Sequence, residues 1–170
     1  MWWSRLALLG LLALAGCGFQ PLYGRNSATG EGGDAGPELA QVHIQPVADR
    51  VGQNLYNILR DRMNPLGVPQ DPRYDLAIAV RQTSELLLIQ QNQTATRINI
   101  TLYADYQLFQ RGKQGAILNG QARSTTTYDV LSDPYSSVVS ANDAQRRGAQ
   151  SLADEISNRV SVFLANPDGG

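Results

Sequence analysis

The sequence predicts an α+β domain, a two-layer sandwich with two helices on one face of a four-stranded, mostly antiparallel sheet. Long segments alternate apolar and polar residues, which is typical of strands with one buried and one wet face. Two other segments carry apolar residues at helical spacing, and they supply the cover that the apolar sheet face needs. The predicted element order is β-α-β-β-β-α.

The first strand and the first helix of the predicted domain are followed by a loop. Weak alternation over residues 39–45 predicts a short strand. Asp49 is placed to cap a helix over residues 50–64, whose apolar residues form one stripe. Pro65 ends this helix because the residue before a proline avoids the α conformation. Residues 65–72, rich in proline, predict a loop.

Three long strands make up most of the predicted sheet. The first begins at Tyr74, and the apolar run of residues 86–89 near its end is compatible with a bulge. Residues 98–108 alternate most regularly and form the next strand. Residues 111–115 predict a hairpin turn, and the last strand runs over residues 116–130.

A long helix closes the predicted domain. Asp133 followed by Pro134 is typical of an N-cap and a first helical residue. Apolar residues recur at helical spacing up to Leu164. Two starts fit this pattern, since the helix is either continuous from residue 134 or restarts near Asn142. A continuous helix is about 46 Å long at ~1.5 Å per residue, which suits strands of about fifteen residues.

The composition excludes several classes of function. The chain has 170 residues, enough for one domain, and its 14 basic and 15 acidic side chains give no basic excess for nucleic acid. One cysteine and one histidine exclude an intramolecular disulfide and the usual His/Cys metal sites. The sequence shows no nucleophile elbow, phosphate-binding glycine loop or clear carboxylate pair. We therefore expect no catalytic residues, no metal and no cofactor.

The N-terminal residues are typical of an export signal. A single positive charge, Arg5, precedes an apolar run from Leu6 to Ala15. This run is too short for a membrane span, which needs about 20 residues, and fits a secretory signal peptide. Residues 14–17, Leu-Ala-Gly-Cys, resemble a bacterial lipobox. The resemblance implies that residues 1–16 are removed and that Cys17 is lipidated, with acyl groups such as palmitate.

A flexible segment follows the predicted lipid anchor. Residues 24–38 are rich in glycine and nearly free of apolar side chains, which indicates a linker. We expect residues 17–38 to form the lipidated N-terminus and its tether, residues 39–165 the folded domain, and residues 166–170 a disordered tail. By similarity to enterobacterial sorting rules, Gly18 in place of aspartate favours the outer membrane.

Residues 17–24, Cys-Gly-Phe-Gln-Pro-Leu-Tyr-Gly, resemble the start of mature LptE proteins of alphaproteobacteria, the lipopolysaccharide-assembly lipoproteins. The similarity continues over residues 132–165, and the element order also matches. The resemblance implies a non-enzymatic, periplasm-facing lipoprotein of the outer membrane. It also implies that the protein assembles with a large LptD-like β-barrel, plugs it and contacts lipopolysaccharide. A polar sheet face suits the polar interior of a large barrel.

Five cations are candidates for contact with lipopolysaccharide or with the barrel. Guanidinium groups pair bidentately with phosphate. Three of the five fall on the predicted open sheet face and two on the hairpin turn. The alternative is a solvated face with incidental charges. The candidates are Arg81, Arg97, Arg123, Arg111 and Lys113.

Other side chains leave alternatives open. His43 is expected to be structural, at the surface or half-buried. Tyr103 and Phe109 are either contact anchors or an ordinary cross-strand aromatic pair. Two other functions remain open at this point: an unrelated transport-accessory lipoprotein that binds phospholipid and, less favoured, a lipid-anchored envelope hydrolase.

Overall fold

The computed structural model describes residues 35–87, 96–130 and 133–166, which form an α+β sandwich. The predicted fold class and element order are confirmed, with one short helix added at the start. The elements are α1 (Ala35–Leu39), β1 (Val42–Ile44), α2 (Arg50–Met63), β2 (Tyr74–Leu87), β3 (Thr96–Gln110), β4 (Ala116–Val130) and α3 (Pro134–Ala165). The predicted signal peptide, Cys17, the tether up to residue 34, the end of the apolar run at residues 88–89 and the tail from residue 167 lie outside the described residues.

The sheet has the order β1-β2-β3-β4. β1 lies parallel to β2 over three residue pairs, since the chain crosses back through α2 between them. The other neighbours are antiparallel and pair along their whole length, with Tyr103 of β3 opposite Arg81 of β2 and Arg123 of β4. The register of β3 against β4 shifts between Leu108 and Phe109.

The core lies between the helices and the face of the sheet formed by the even-numbered residues of β2, β3 and β4, which we call the inner face. α3 packs along β4 and β3, and α2 packs against α3 near β1. Leu152 and Ile156 of α3 are fully buried there. The helices do not cover the far half of β2, where Leu86 is 57% exposed. The buried inner-face residues of β3 are Ile100, Leu102, Ala104, Tyr106 and Leu108.

Both long helices begin at the predicted caps. Asp49 accepts a hydrogen bond from the Gly52 N–H at 2.8 Å, and Asp133 accepts one from the Ser136 N–H at 2.9 Å. α3 is continuous from Pro134, which decides between its two predicted starts. Its Gly148 lies against the sheet, where an added Cβ would sit 2.8 Å from a methyl group of Leu102.

The start of the domain differs from the prediction. Residues 35–38, predicted as the end of the tether, lie in α1, and the first strand is shorter than residues 39–45. α1 is held to the start of β2 because Glu38 accepts hydrogen bonds from the Tyr74 hydroxyl at 2.8 Å and from Arg73 at 3.1 Å. These contacts join residues distant in sequence, so local composition does not reveal them.

Candidate binding site on the open sheet face

The second face of the sheet is formed by the odd-numbered residues of β2, β3 and β4, together with His43 of β1. We call it the open face, because in the part of the chain that the structure describes no helix packs on it. The alternation predicted this face, and it carries Arg81, Arg97 and Arg123 as expected. The cross-strand register then determines which side chains meet.

At the end of the sheet near the hairpin turn, Asp75 holds two basic residues. Arg111 donates to Asp75 from Nε at 2.8 Å and from Nη2 at 3.1 Å, and Nδ1 of His43 lies 2.9 Å from the same carboxylate. The hydrogen bonds from Arg111, and secondarily that of His43, hold the pKa of Asp75 below its ordinary value. Arg111 therefore ties the hairpin turn to β2.

A row of three side chains crosses the middle of the open face. The guanidinium carbons of Arg81 and Arg123 lie 5.3 Å and 5.5 Å from the centroid of the Tyr103 ring, within the range of cation–π interactions. Arg81 also lies 3.4 Å from a carboxylate oxygen of Asp105. Arg123 pairs with no carboxylate among the described residues, so its N–H groups can meet an external acceptor.

Beside this row the open face sinks into a depression of about 590 Å³. Its β2 side is low because that strand supplies two alanines, while β3 and β4 supply long polar side chains. The amide of Gln107 donates to Asn119 at 3.0 Å, and that of Gln121 donates to Asp105 at 2.6 Å. We call this feature the polar depression; its lining includes Ala77, Ala79, Asp105, Gln107, Asn119 and Gln121.

The remaining candidate residues lie toward the two ends of the face. Arg97 donates two hydrogen bonds to Asp129, from Nε to Oδ1 at 2.8 Å and from Nη2 to Oδ2 at 3.4 Å. These hydrogen bonds lower the pKa of Asp129. Lys113 is exposed in the hairpin turn and has no ion pair within the described ranges. The structure thus brings Arg81 and Arg123 together around one ring and leaves Arg97, Arg111 and Lys113 apart.

The two aromatic residues of the open face do not form a cross-strand pair. Tyr103 has arginines on both neighbouring strands, and Phe109 lies opposite Asp75 and Ala116. The alternative of an ordinary aromatic pair is therefore wrong, because both residues belong to β3.

The polar depression was not predicted from the sequence. The only signal in the sequence is the two alanines at positions 77 and 79, which lie on the open face of β2. They indicate a depression only once the pairing of β2 with β3 and of β3 with β4 is known.

Two further properties bear on function. Across residues 35–87, 96–130 and 133–166, no group of three or more histidine, cysteine, aspartate or glutamate side chains is arranged to hold a metal ion. No helix in the same ranges has the length and apolar content that a membrane crossing requires.

The model of the LptE family, described as lipopolysaccharide-assembly, matches residues 39–160. The chain belongs to the LptE family. This match covers well over half of the chain and includes every described strand and almost all of α3. The family supports a role in lipopolysaccharide assembly, as the N-terminal octapeptide indicated. A comparison with curated protein sequences gives no match.

Solved structures of lipoproteins share the fold of this LptE-family chain. A candidate lipoprotein of Caulobacter crescentus is 20% identical with a TM-score of 0.64, covering 78% of this chain and 96% of that one. A minor lipoprotein of Acinetobacter baumannii is 17% identical with a TM-score of 0.53, covering 72% and 91%. The rare lipoprotein B of Shewanella oneidensis is 12% identical with a TM-score of 0.50, covering 75% and 98%. At these identities the likeness shows the fold alone.

Proposed function

We propose that this LptE-family protein is an outer-membrane lipoprotein, lipidated at Cys17 and facing the periplasm. It assembles with the LptD-like β-barrel that inserts lipopolysaccharide, plugs that barrel and contacts lipopolysaccharide during delivery. The family match over residues 39–160 is the observation that carries this proposal. The protein acts by binding and not by catalysis.

The open face supports a position inside a barrel. It is polar along three strands of 14 or 15 residues, and three of its aspartates are matched by arginines of this same chain. Pairing of this kind keeps a face hydrophilic without a large excess of charge, which suits the wet interior of a large barrel. The open face is thus suited to a polar environment, and it still has groups that can contact a ligand or the barrel.

Among the five candidate cations, the structure favours two for contact with phosphate or with acidic barrel residues. Arg123 and Lys113 have no carboxylate partner in the described part of the chain, whereas Arg81, Arg97 and Arg111 each pair with an aspartate. An unpaired cationic side chain loses less free energy on meeting a phosphate, because no existing ion pair must be broken. We therefore assign the strongest anion contacts to Arg123 and Lys113.

The partner is tested by purifying the native lipoprotein from its host membrane in mild detergent. A large β-barrel recovered in stoichiometric amount is the expected result. A Cys17→Ser variant carrying the same signal should lose the lipid mass by mass spectrometry and no longer be recovered in the outer-membrane fraction. Recovery of an inner-membrane transporter complex, or of no barrel, contradicts the proposed function.

The anion contact is tested by charge reversal with a matched control. Arg123→Glu together with Lys113→Glu should weaken binding of lipopolysaccharide at low salt, and the difference should shrink as salt is added. The control is Arg146→Glu with Arg62→Glu, which makes the same change in charge on the helices. Equal loss in both pairs would mean that net charge alone, and not the open face, governs binding.

A further inference from the structure

The binding capacity of the open face is mainly neutral. Its ion pairs Arg81–Asp105, Arg97–Asp129 and Arg111–Asp75 satisfy most of its charge within the protein. What remains between them is a set of amide and hydroxyl groups, including the Thr101–Thr125 pair, whose oxygens are 3.2 Å apart. A ligand that covers the face therefore meets hydrogen-bond donors and acceptors more often than net charge.

The polar depression concentrates this neutral capacity. Gln107 uses one N–H donor and Asn119 uses one acceptor in the hydrogen bond between them. Each of the two amide groups therefore keeps at least one free donor and one free acceptor. Asp105 is the charged side chain of the lining; it accepts from Gln121 at 2.6 Å and lies 3.4 Å from Arg81. A carboxylate that is already paired with an arginine gives phosphate no attraction, and it can still accept hydrogen bonds from hydroxyl groups.

Hydroxyl-rich ligands match this arrangement. A hydroxyl group both donates and accepts, so it can pair with either end of an amide and with a carboxylate. An extended peptide is a poorer match, because peptides recognised by sheets usually add to a free edge. Here the depression lies on the face of the sheet, where the backbone groups of β2 and β3 already pair with each other.

We propose that the polar depression binds the oligosaccharide of lipopolysaccharide through its hydroxyl groups. This inference rests on the proposed function, which supplies lipopolysaccharide as the source of the sugar. Gln121 lines the depression, and Arg123, two residues along β4, faces the same side. Charged substituents of the ligand thus meet Arg123, while its neutral sugars occupy the depression.

Binding is tested with the full lipoprotein in detergent and with core oligosaccharide freed from lipid A by mild acid. The side-chain amide signals of Gln107, Asn119 and Gln121 should shift in a saturable manner in nuclear magnetic resonance spectra. An equal response to a peptidoglycan glycan fragment would overturn the assignment to lipopolysaccharide.

A filling variant and a matched control locate the site. Ala79→Tyr places a large side chain in the depression, on an exposed position of β2, and leaves the polar lining intact. It should weaken oligosaccharide binding at least about tenfold, since several hydrogen bonds are lost together. Thr83→Tyr makes a similar change on the same face of the same strand, outside the depression, and should change binding less than about twofold.

A second variant tests one hydrogen-bonding group. Asn119→Ala should weaken binding about fivefold, the effect of one typical hydrogen bond. Circular dichroism checks that all variants fold. The inference is wrong if Ala79→Tyr and Thr83→Tyr bind alike, or if the wild-type protein binds intact lipopolysaccharide and no core oligosaccharide. Recovery of the barrel in the purification described above would then leave the proposed function standing.

Discussion

The two faces of the sheet are built from the same three strands and differ in how far their side chains are buried. On the inner face, Leu102 and Leu108 are fully buried under α3 and the rest of the core. On the open face, Thr101 and Tyr103 lie one residue away along β3 and remain partly exposed. The inner face maintains the fold by excluding water, and the open face holds polar groups in fixed positions where water reaches them.

This division leads to different expected costs of substitution. Burial of an apolar side chain contributes roughly 1.5–3 kcal/mol, and its removal also leaves a cavity. Exposed polar pairs contribute little, because water replaces them and salt screens their charges. Stability should therefore depend mainly on the inner face, and binding mainly on the open face.

The largest expected effect comes from neighbouring residues that point to opposite faces. Leu102→Ala should lower the free energy of unfolding by about 3 kcal/mol, since Leu102 is fully buried and lies against Gly148 of α3. Thr101→Ala should lower it by less than about 0.5 kcal/mol. Urea denaturation of both variants measures the difference. Similar losses would break the division between the faces.

A smaller effect is expected where the inner face depends on the absence of a side chain. Tyr106 lies across from Gly120, where an added Cβ would sit 2.2 Å from the tyrosine hydroxyl oxygen. Gly120→Ala should therefore cost about 1–3 kcal/mol, because the buried ring must move. Gln121→Ala, one residue along and on the open face, is the control and should cost much less. In a Tyr106→Leu background the cost of Gly120→Ala should fall, and an unchanged cost would remove the ring as its cause.

Sequence alone predicted the inner face better than the open face for a physical reason. Alternation assigns each strand residue to a face, and burial then follows from being apolar, as for residues 100 to 108 of β3. The partners of Arg97 and Arg123 depend on which residues of β3 and β4 lie opposite. A slip of two residues would keep every side chain on its face and still separate Arg97 from Asp129.

The same limit explains why the sequence did not predict the polar depression or the contacts of Asp75 with His43 and Arg111. The residues around Asp75 come from β1, β2 and the hairpin turn, so no short sequence segment contains them. The depression needs two small residues of one strand beside long residues of the two following strands. The features predicted from the sequence are local in the chain, and those that the structure added are not.

Asp75 provides an intermediate case, because it is a polar residue of the open face with a structural role. Its pKa is lowered in the folded state, so ionised Asp75 stabilises the fold. This contribution is present above the unfolded pKa of about 3.9 and is lost as the pH falls through the folded pKa. Asp75→Asn should cost about 1 kcal/mol at pH 7, and the difference from wild type should shrink in strong acid. Glu85→Gln on the same face of β2 is the control; a loss of similar size and pH dependence would contradict the role of Arg111.

The smallest effect is expected for the Arg97–Asp129 pair, whose side chains are 47% and 45% exposed. A double-mutant cycle with Arg97→Gln and Asp129→Asn should give a coupling smaller than the effect of Asp75→Asn, because both charges remain hydrated. The coupling should vanish in about 1 M salt, where the Debye length is about 3 Å. A coupling that persisted at this salt concentration would mean that the open face contributes to the stability of the sheet as the inner face does. Its polar groups would then be part of the fold and less available to a partner.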